Sequence, residues 1–203
     1  MCVSAILLAA GLSRRMDGCD KLLLPCRENS NITLLEKAIA LMDRHPFYEK
    51  VLVTTGERLK YLSALPQSIK IVVNHNPKAG QSESLRLGLS IATGEYYLFL
   101  AADQPLLDAS VLQWLLRASE RNPGKIIYPT INGNRCNPTL FPATFREELL
   151  SQFGDVGGRK VLLNHPEHCI AIEAENSEIF FDIDSKSDYM RYNFRHIQEV
   201  TNS

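Results

Sequence analysis

The chain has 203 residues, of which 45% are hydrophobic and 22% are charged. This composition supplies enough apolar surface for a sizeable core and excludes global disorder. The 22 basic and 23 acidic residues give a formal charge of -1, which excludes nonspecific attraction to nucleic acid or to an anionic membrane surface. Any phosphate binding must therefore come from local groups.

The cysteines and the first residues bear on the compartment. Five scattered cysteines, an odd number without a CxxC pair or zinc spacing, indicate reduced thiols. Residues 1–12 form a short apolar stretch that runs directly into Arg14 and Arg15, which favours a buried strand over a signal peptide. No other apolar run approaches the roughly 20 residues of a membrane helix. We expect a cytoplasmic protein without membrane association.

The first half of the chain alternates strand and helix patterns. Segments with helical spacing lie among apolar runs typical of doubly buried strands, and Thr33 with Glu36 predicts a capping box for the first helix. Either Asp108 or Ser110 caps the last of these helices. The strands are predicted at 3–8, 51–54, 69–73 and 96–101, and the helices at 34–42, 82–93 and 108–121. This alternation predicts a parallel α/β sheet.

The pattern changes after residue 125. Two apolar segments on either side of an Asn-Gly-Asn turn at 132–134 predict an antiparallel hairpin. The remaining predictions are hairpin strands at 126–129 and 138–141, a helix at 144–153, a loop at 154–158, strands at 169–174 and 180–183, and a helix at 185–197. No linker or repeat interrupts the chain, so we expect one domain spanning residues 1–203.

Small and cationic residues follow the first strand, where α/β sheets place their ligands. Residues 8–16 read Leu-Ala-Ala-Gly-Leu-Ser-Arg-Arg-Met, and Lys21 comes soon after. Small side chains let backbone N–H groups approach a phosphate, and Arg15 and Lys21 would offset its charge. The loop is neither a Walker A motif nor a dinucleotide fingerprint. The alternative is a tight turn with solvated arginines.

A carboxylate follows the fourth predicted strand. Asp103 stands before Gln104 and Pro105, at the edge expected to hold the first loop. Mg²⁺ is commonly bound by one or two carboxylates together with substrate phosphates, so Asp103 is a candidate metal ligand. A turn or capping aspartate before Pro105 is the alternative.

Three later segments are weaker candidates. Residues 80–84, Gly-Gln-Ser-Glu-Ser, open a helix whose N–H groups could hold a base, ribose or phosphate, although an ordinary N-cap by Ser82 explains them equally well. The loops at 134–138 and 154–159 each carry an arginine that could meet a second anionic substrate, or are surface turns. Asp182 and Asp184 alternate along the predicted strand, so at most one would join a metal.

Taken together, these segments resemble the MobA-like nucleotidyltransferases in order and spacing. The resemblance covers residues 8–16, 21–25, 80–84, 102–105 and 182–184. Within that superfamily, Asn-Pro-Thr-Leu-Phe at 137–141 and Gly-Asp-Val-Gly-Gly-Arg at 154–159 resemble the molybdenum cofactor cytidylyltransferase branch, which serves molybdenum hydroxylases. Asp17 departs from the family, which usually has glycine directly after the Arg-Met pair.

The resemblance implies an α/β fold: a Rossmann-like three-layer αβα sandwich of the nucleotide-diphospho-sugar transferase type, mostly parallel with an antiparallel excursion. It also implies a nucleoside triphosphate across the first loop and Mg²⁺ on Asp103, with Asp184, or as second choice Asp182, as a further acidic contact. The implied catalytic residues are Arg15, Lys21 and Asp103, the nucleotide-binding residues Ala9, Ala10, Gly11, Gly80 and Ser84, and the pterin-side residues Asn137, Pro138, Asp155, Gly157 and Arg159.

The expected reaction is transfer of CMP from CTP to the phosphate of the molybdopterin cofactor, with release of pyrophosphate. A molybdenum hydroxylase apo-enzyme would be a partner. A guanylyltransferase using GTP, a sugar-phosphate or polyol-phosphate nucleotidyltransferase, and a non-catalytic carrier or insertion factor for the cofactor are the alternatives. The Asp-Ile-Asp pattern at 182–184 also occurs in metal-dependent glycosyltransferases, but Asp103 better fits the metal position.

Overall fold

The computed structural model describes residues 1–27 and 30–201, and these form one mixed sheet with helices on both faces. The strands of the described residues are β1 (Val3–Ala9), β2 (Glu49–Thr54), β3 (Ile69–Val73), β4 (Tyr96–Ala101), β5 (Ile126–Ile131), β6 (Asn134–Arg135), β7 (Thr139–Pro142) and β8 (Cys169–Glu173). The helices are α1 (Leu34–Asp43), α2 (Gly56–Leu59), α3 (Gln81–Ile91), α4 (Ala109–Arg121), α5 (Arg146–Leu150), α6 (Arg159–Asn164) and α7 (Lys186–Thr201).

The sheet order is β3-β2-β1-β4-β7-β5-β6, and β8 pairs with β5. Strands β1 to β4 are parallel where they pair, whereas β7 runs antiparallel to both β4 and β5. The register places Leu8 beside Ala101 and Ala9 beside Thr54. The carboxyl ends of β1, β2 and β4 therefore meet at one edge of the sheet.

Alternate residues of each central strand pack on opposite faces, which gives the three layers. Ala5 and Leu7 of β1 pack in a cluster with the buried residues of α1 and α4. Ile6 packs on the other face with residues of α3, α5 and α6. The expected αβα sandwich with an antiparallel excursion is confirmed.

The local signals of the first half are also confirmed. All four predicted strands and three predicted helices are present there. Thr33 and Glu36 form the capping box of α1, and Asp108, not Ser110, caps α4 through the N–H groups of Ser110 and Val111. A capping box needs only residues within one turn, so sequence spacing suffices to predict it.

Several expectations for the second half are wrong. Residues 180–183 are not a strand: Ser177–Phe180 is a 3-10 turn, and Ile183 donates its N–H to the Asp103 carbonyl at 3.0 Å without joining a ladder. Phe180 and Ile183 bury in different clusters, so the alternation of apolar and acidic residues does not reflect a strand face. The predicted helix at 144–153 is shorter, with a 3-10 turn at Ala143–Phe145 before α5.

The predicted loop at 154–158 contains a 3-10 turn at Gly154–Val156, and the short helices α2 and α6 are additional. Ser82 does not cap α3. The N-cap residue is Gly80, and the first helical N–H, that of Gln81, donates to Asp155 Oδ1 at 3.1 Å. The capping carboxylate comes from a distant loop, which no local pattern could indicate.

Candidate active site

A cleft of about 320 Å³ lies at the carboxyl ends of β1 and β4. It brings together most residues expected at the nucleotide, phosphate and metal positions: Ala10, Gly11, Arg15, Lys21, Gly80, Ser84, Asp103 and Asp184. Ala9 is 1% exposed and does not line the cleft; it contributes its backbone to the loop that does. The cleft thus lies at the carboxyl edge of the sheet, as the sequence predicts.

The first loop turns sharply after β1 and is anchored by Met16, which is 1% exposed. Ser13 and Asp17 both adopt positive φ, at 49° and 47°. The Asp17 side chain is 79% exposed and pairs with Lys186 at 3.4 Å, outside the cleft lining. The carboxylate that departs from the family pattern therefore lies outside the cleft lining.

Lys21 connects the loop to the acidic side of the cleft. Its side chain is 12% exposed, and Nζ donates to Asp103 Oδ2 at 2.7 Å and to Asp184 Oδ1 at 3.1 Å. Burial alone would lower the pKa of Lys21, but the charges and hydrogen bonds of Asp103 and Asp184 raise it above its ordinary value. The ammonium is therefore charged at neutral pH.

Asp184 has a second cationic partner, since Arg15 Nη2 lies 2.9 Å from its Oδ2. Burial of its carboxyl group, and then the charges of Asp103 and Asp184, raise the pKa of Asp182 to about 7. Among the residues described, Asp184 and not Asp182 contacts both cationic candidates. Asp184 is thus the second carboxylate that faces Lys21.

The donor set fits a divalent cation that arrives with a phosphate. Asp103 and Asp184 already share one cation, the Lys21 ammonium, and two carboxylates plus substrate phosphates are a common Mg²⁺ ligand set. Within residues 1–27 and 30–201, no three His, Cys, Asp or Glu side chains form a preassembled metal site. Asp103 and Asp184 would supply two oxygen ligands, and substrate phosphates would complete the coordination of such a metal.

The opposite wall of the cleft is the start of α3. Gly80 has φ of 93°, and a Cβ there would lie 2.4 Å from the carbonyl carbon of Gly154. This close approach packs the 154–158 segment against α3 and brings Asp155 into the cleft. Ser84 is 6% exposed, and its Oγ accepts from Asn74 Nδ2 at 3.0 Å.

Three of the five residues expected on the pterin side, Asn137, Gly157 and Arg159, line two further depressions. Asn137 and Gly157 line a small pocket that shares Leu8, Gln81 and Ala101 with the main cleft. Arg159 lines a wider depression of about 550 Å³, and Arg135 lines both of these spaces. Pro138 is buried and follows Asn137 through a cis peptide bond. The residues expected to bind the acceptor are thus distributed over the main cleft and these two depressions, and they do not form one compact group.

Arg58 is a residue next to the site that none of the sequence motifs indicates. This arginine, in α2, is 3% exposed and hydrogen-bonds the backbone of the first loop. Its position just beyond the carboxyl end of β2, the neighbour of β1, is a signal that could have singled it out.

Two further findings concern the whole chain. All five cysteines are free thiols. Across the part of the chain that the structure describes, we find no helix with the length and apolar character that crossing a bilayer requires.

With this geometry established, comparison with known proteins identifies the family. Residues 5–169 match the model of the MobA-like NTP transferase domain. The chain belongs to the MobA-like NTP transferase family. It is therefore a nucleotidyltransferase by family, and the expectation drawn from its motifs is confirmed.

Curated relatives carry more than one name. The molybdenum cofactor cytidylyltransferase of Escherichia coli K12 is 28% identical over 193 residues, covering 93% of this chain and 94% of the relative. The nicotine blue oxidoreductase of Paenarthrobacter nicotinovorans is 30% identical over 201 residues, covering 94% and 96%. A molybdenum cofactor guanylyltransferase of Pseudomonas aeruginosa PAO1 is 27% identical, covering 79% of each chain.

Solved structures agree with the fold. A nucleotidyl transferase from Methanothermobacter superposes with a TM-score of 0.80 at 22% identity, covering 98% of this chain and 99% of the other. A protein from Mycobacterium tuberculosis H37Rv in complex with manganese superposes with a TM-score of 0.74 at 22% identity, covering 95% and 98%. At these identities the likeness shows the fold alone.

Proposed function

We propose that this protein transfers CMP from CTP to the phosphate of the molybdopterin cofactor. The observation that carries the proposal is the half-buried Lys21 ammonium, which is held between Asp103 and Asp184 beside a small-residue loop. This combination suits a triphosphate with its metal. The cytidylyl branch is supported by the Escherichia coli relative, which matches over 93% of this chain.

The reaction needs positioning and charge neutralisation more than covalent chemistry. An oxygen of the acceptor phosphate forms a bond to the α-phosphorus of CTP, the bond to the β-phosphate oxygen breaks, and pyrophosphate leaves. Arg15 and Lys21 would hold the phosphate oxygens, and the loop N–H groups would bind along the triphosphate. Mg²⁺ held by Asp103 and Asp184 would neutralise charge on the phosphates.

The acceptor would enter from the small pocket that adjoins the cleft. Asn137 and Gly157 line this pocket, Pro138 is buried next to Asn137, and Arg159 lies farther out in the wider depression. Asp155 lies at the boundary, because its carboxylate binds the start of α3 and also lines the nucleotide cleft. A protein of this activity would deliver its product to a molybdenum hydroxylase in the cytoplasm.

The test is pyrophosphate release from purified protein with Mg²⁺ and molybdopterin cofactor, with CTP, GTP, ATP and UTP in parallel. Release with CTP alone supports the proposal. Selective use of GTP would instead identify a guanylyltransferase, and cofactor binding without turnover would identify a carrier. A sugar-phosphate or polyol-phosphate acceptor serves as the control for acceptor choice.

The oxidoreductase name of one relative motivates one additional assay. The first loop lacks the later glycines of a dinucleotide fingerprint, so we expect no oxidation of NADH or NADPH. Oxidation of either nucleotide by the purified protein, with nicotine blue as acceptor, would overturn the transferase proposal in favour of a reductase.

A further inference from the structure

Arg58 makes more contacts with the nucleotide loop than its distance in sequence suggests. Its guanidinium Nη1 donates to the Ala9 carbonyl at 2.5 Å, and Nη2 donates to the Gly11 carbonyl at 2.6 Å. The side chain is 4% exposed, and Arg58 is not among the residues that line the cleft. Arg58 therefore binds the loop on the side away from the cleft.

These two bonds fix the direction of two peptide planes. In a trans peptide the carbonyl of one residue and the N–H of the next point in opposite directions. Because the carbonyls of Ala9 and Gly11 turn toward Arg58, the N–H groups of Ala10 and Leu12 turn away from it. Ala10 and Leu12 both line the cleft and Arg58 does not, so N–H groups that turn away from Arg58 are on the side of the loop where a phosphate would bind.

The same guanidinium also fixes the segment that carries Lys21. Nε and Nη2 bind the two oxygens of Asp20 at 2.6 and 2.8 Å, which is a bidentate pair. Asp20 Oδ1 accepts in turn from the Leu22 N–H at 3.1 Å, and the Lys21 N–H donates to Ser13 Oγ at 3.2 Å. With Asp20 held on the Arg58 side, the Lys21 side chain extends to Asp103 in the cleft.

We propose that Arg58, paired with Asp20, is a positioning residue for nucleotidyl transfer: it aims the loop N–H groups and Lys21 at the triphosphate. The inference rests on the proposed function in one respect, that the cleft holds a triphosphate. It does not depend on which base or acceptor is used. Arg58 touches no reacting atom and acts through the loop and through Lys21.

The test compares Arg58→Lys and Arg58→Met with a matched control. Arg146 in α5 is a half-buried arginine that also binds two backbone carbonyls, those of Ala92 at 2.9 Å and Leu89 at 2.5 Å, at the end of α3 away from the cleft. Arg146→Met removes a similar set of bonds away from the cleft. Each protein is measured for thermal unfolding, for calorimetric binding of Mg²⁺-CTP and of inorganic tripolyphosphate, and for kcat and KM.

Arg58→Lys keeps the charge, but its single ammonium nitrogen cannot form the bidentate pair with Asp20 and also bind both loop carbonyls. We expect it to bind both triphosphate probes about tenfold more weakly and to lose about 10-fold to 100-fold in kcat, because small displacements of positioned groups are costly. Arg146→Met should unfold at lower temperature with binding and kinetic constants within about twofold of the parent. Arg58→Lys decides the test if Arg58→Met does not fold.

The outcomes separate the inference from the proposed function. In one outcome, Arg58→Lys and Arg146→Met lose stability alike while both keep normal binding and kcat. In that case Arg58 is only structural and the inference is wrong, while the transferase proposal stands. If the parent binds tripolyphosphate and Arg58→Lys does not, without transfer to molybdopterin, the inference stands and the acceptor is wrong. A parent protein that binds neither triphosphate probe overturns both.

Discussion

Glu49 offers a quantitative test of how the central strands are held together. This residue at the start of β2 has a side chain that is 7% exposed. Its carboxylate accepts hydrogen bonds from Ser4 Oγ at 2.5 Å, from the Thr93 N–H at 2.6 Å and from Lys70 Nζ at 2.8 Å. Burial alone would raise the pKa of Glu49, but these bonds lower it from 4.5 to about 2.

The depressed pKa fixes the sign and the size of the effect. The unfolded chain takes up the proton at higher pH than the folded protein does, so the stabilisation is complete above about pH 5 and is lost as the pH falls toward 2. At about 1.4 kcal/mol for each pH unit between the two pKa values, Glu49 contributes about 3 kcal/mol at neutral pH. About 2 kcal/mol of this is lost by pH 3.

Glu49→Gln keeps the shape of the side chain and removes its charge. In urea unfolding followed by circular dichroism, the variant should be about 3 kcal/mol less stable than the parent at pH 7 and only about 1 kcal/mol less stable at pH 3. Lys70→Met is the control, since Lys70 is half-exposed and its ion pair should be worth about 1 kcal/mol or less. Equal stability at pH 7, or an unchanged difference at pH 3, would refute the reasoning.

Three further predictions concern the cleft. Asp103→Asn should lower kcat by about 100-fold with unchanged thermal unfolding, and pyrophosphate release at the parent rate would contradict its role. Lys21→Met should lower kcat/KM for the nucleotide by about 100-fold or more, measured in the same assay, and a normal value would remove Lys21 from the phosphate site. Gly80→Ala should cost at least about 2 kcal/mol in urea unfolding, because a Cβ would meet Gly154 at 2.4 Å. Gly124→Ala, also at positive φ but with open space around it, should cost about 1 kcal/mol, and equal losses would argue against the steric explanation.

Local sequence predicts much of the first half of the fold. The apolar runs give the central strands, and the Thr33–Glu36 spacing gives the cap of α1, because these features depend on neighbours within a turn or on burial of a whole strand. Lys21 and Asp103 were also predicted to lie near each other. Parallel strands share a carboxyl edge, so two residues that follow adjacent strands must meet there.

The positions of the residues expected on the pterin side depend on tertiary packing. The structure places Asp155 against α3 in the main cleft and Arg159 in a separate depression. Strand β7 is inserted antiparallel between β4 and β5, and the 154–158 segment packs on Gly80. Which loop reaches which wall depends on this packing and not on the composition of the loop.

The sequence by itself determined the succession of the central strands and helices along the chain, the caps formed by near neighbours and the edge of the sheet where the site would lie. Only the tertiary structure decided that Asp184 pairs with Lys21, 163 residues away, and that Arg58 binds Asp20 and the loop carbonyls. The physical reason is that local signals arise from backbone geometry and periodic burial, which act over a few residues. A buried charged group, in contrast, must find its partners wherever the folded chain brings them, because leaving it unpaired would cost too much.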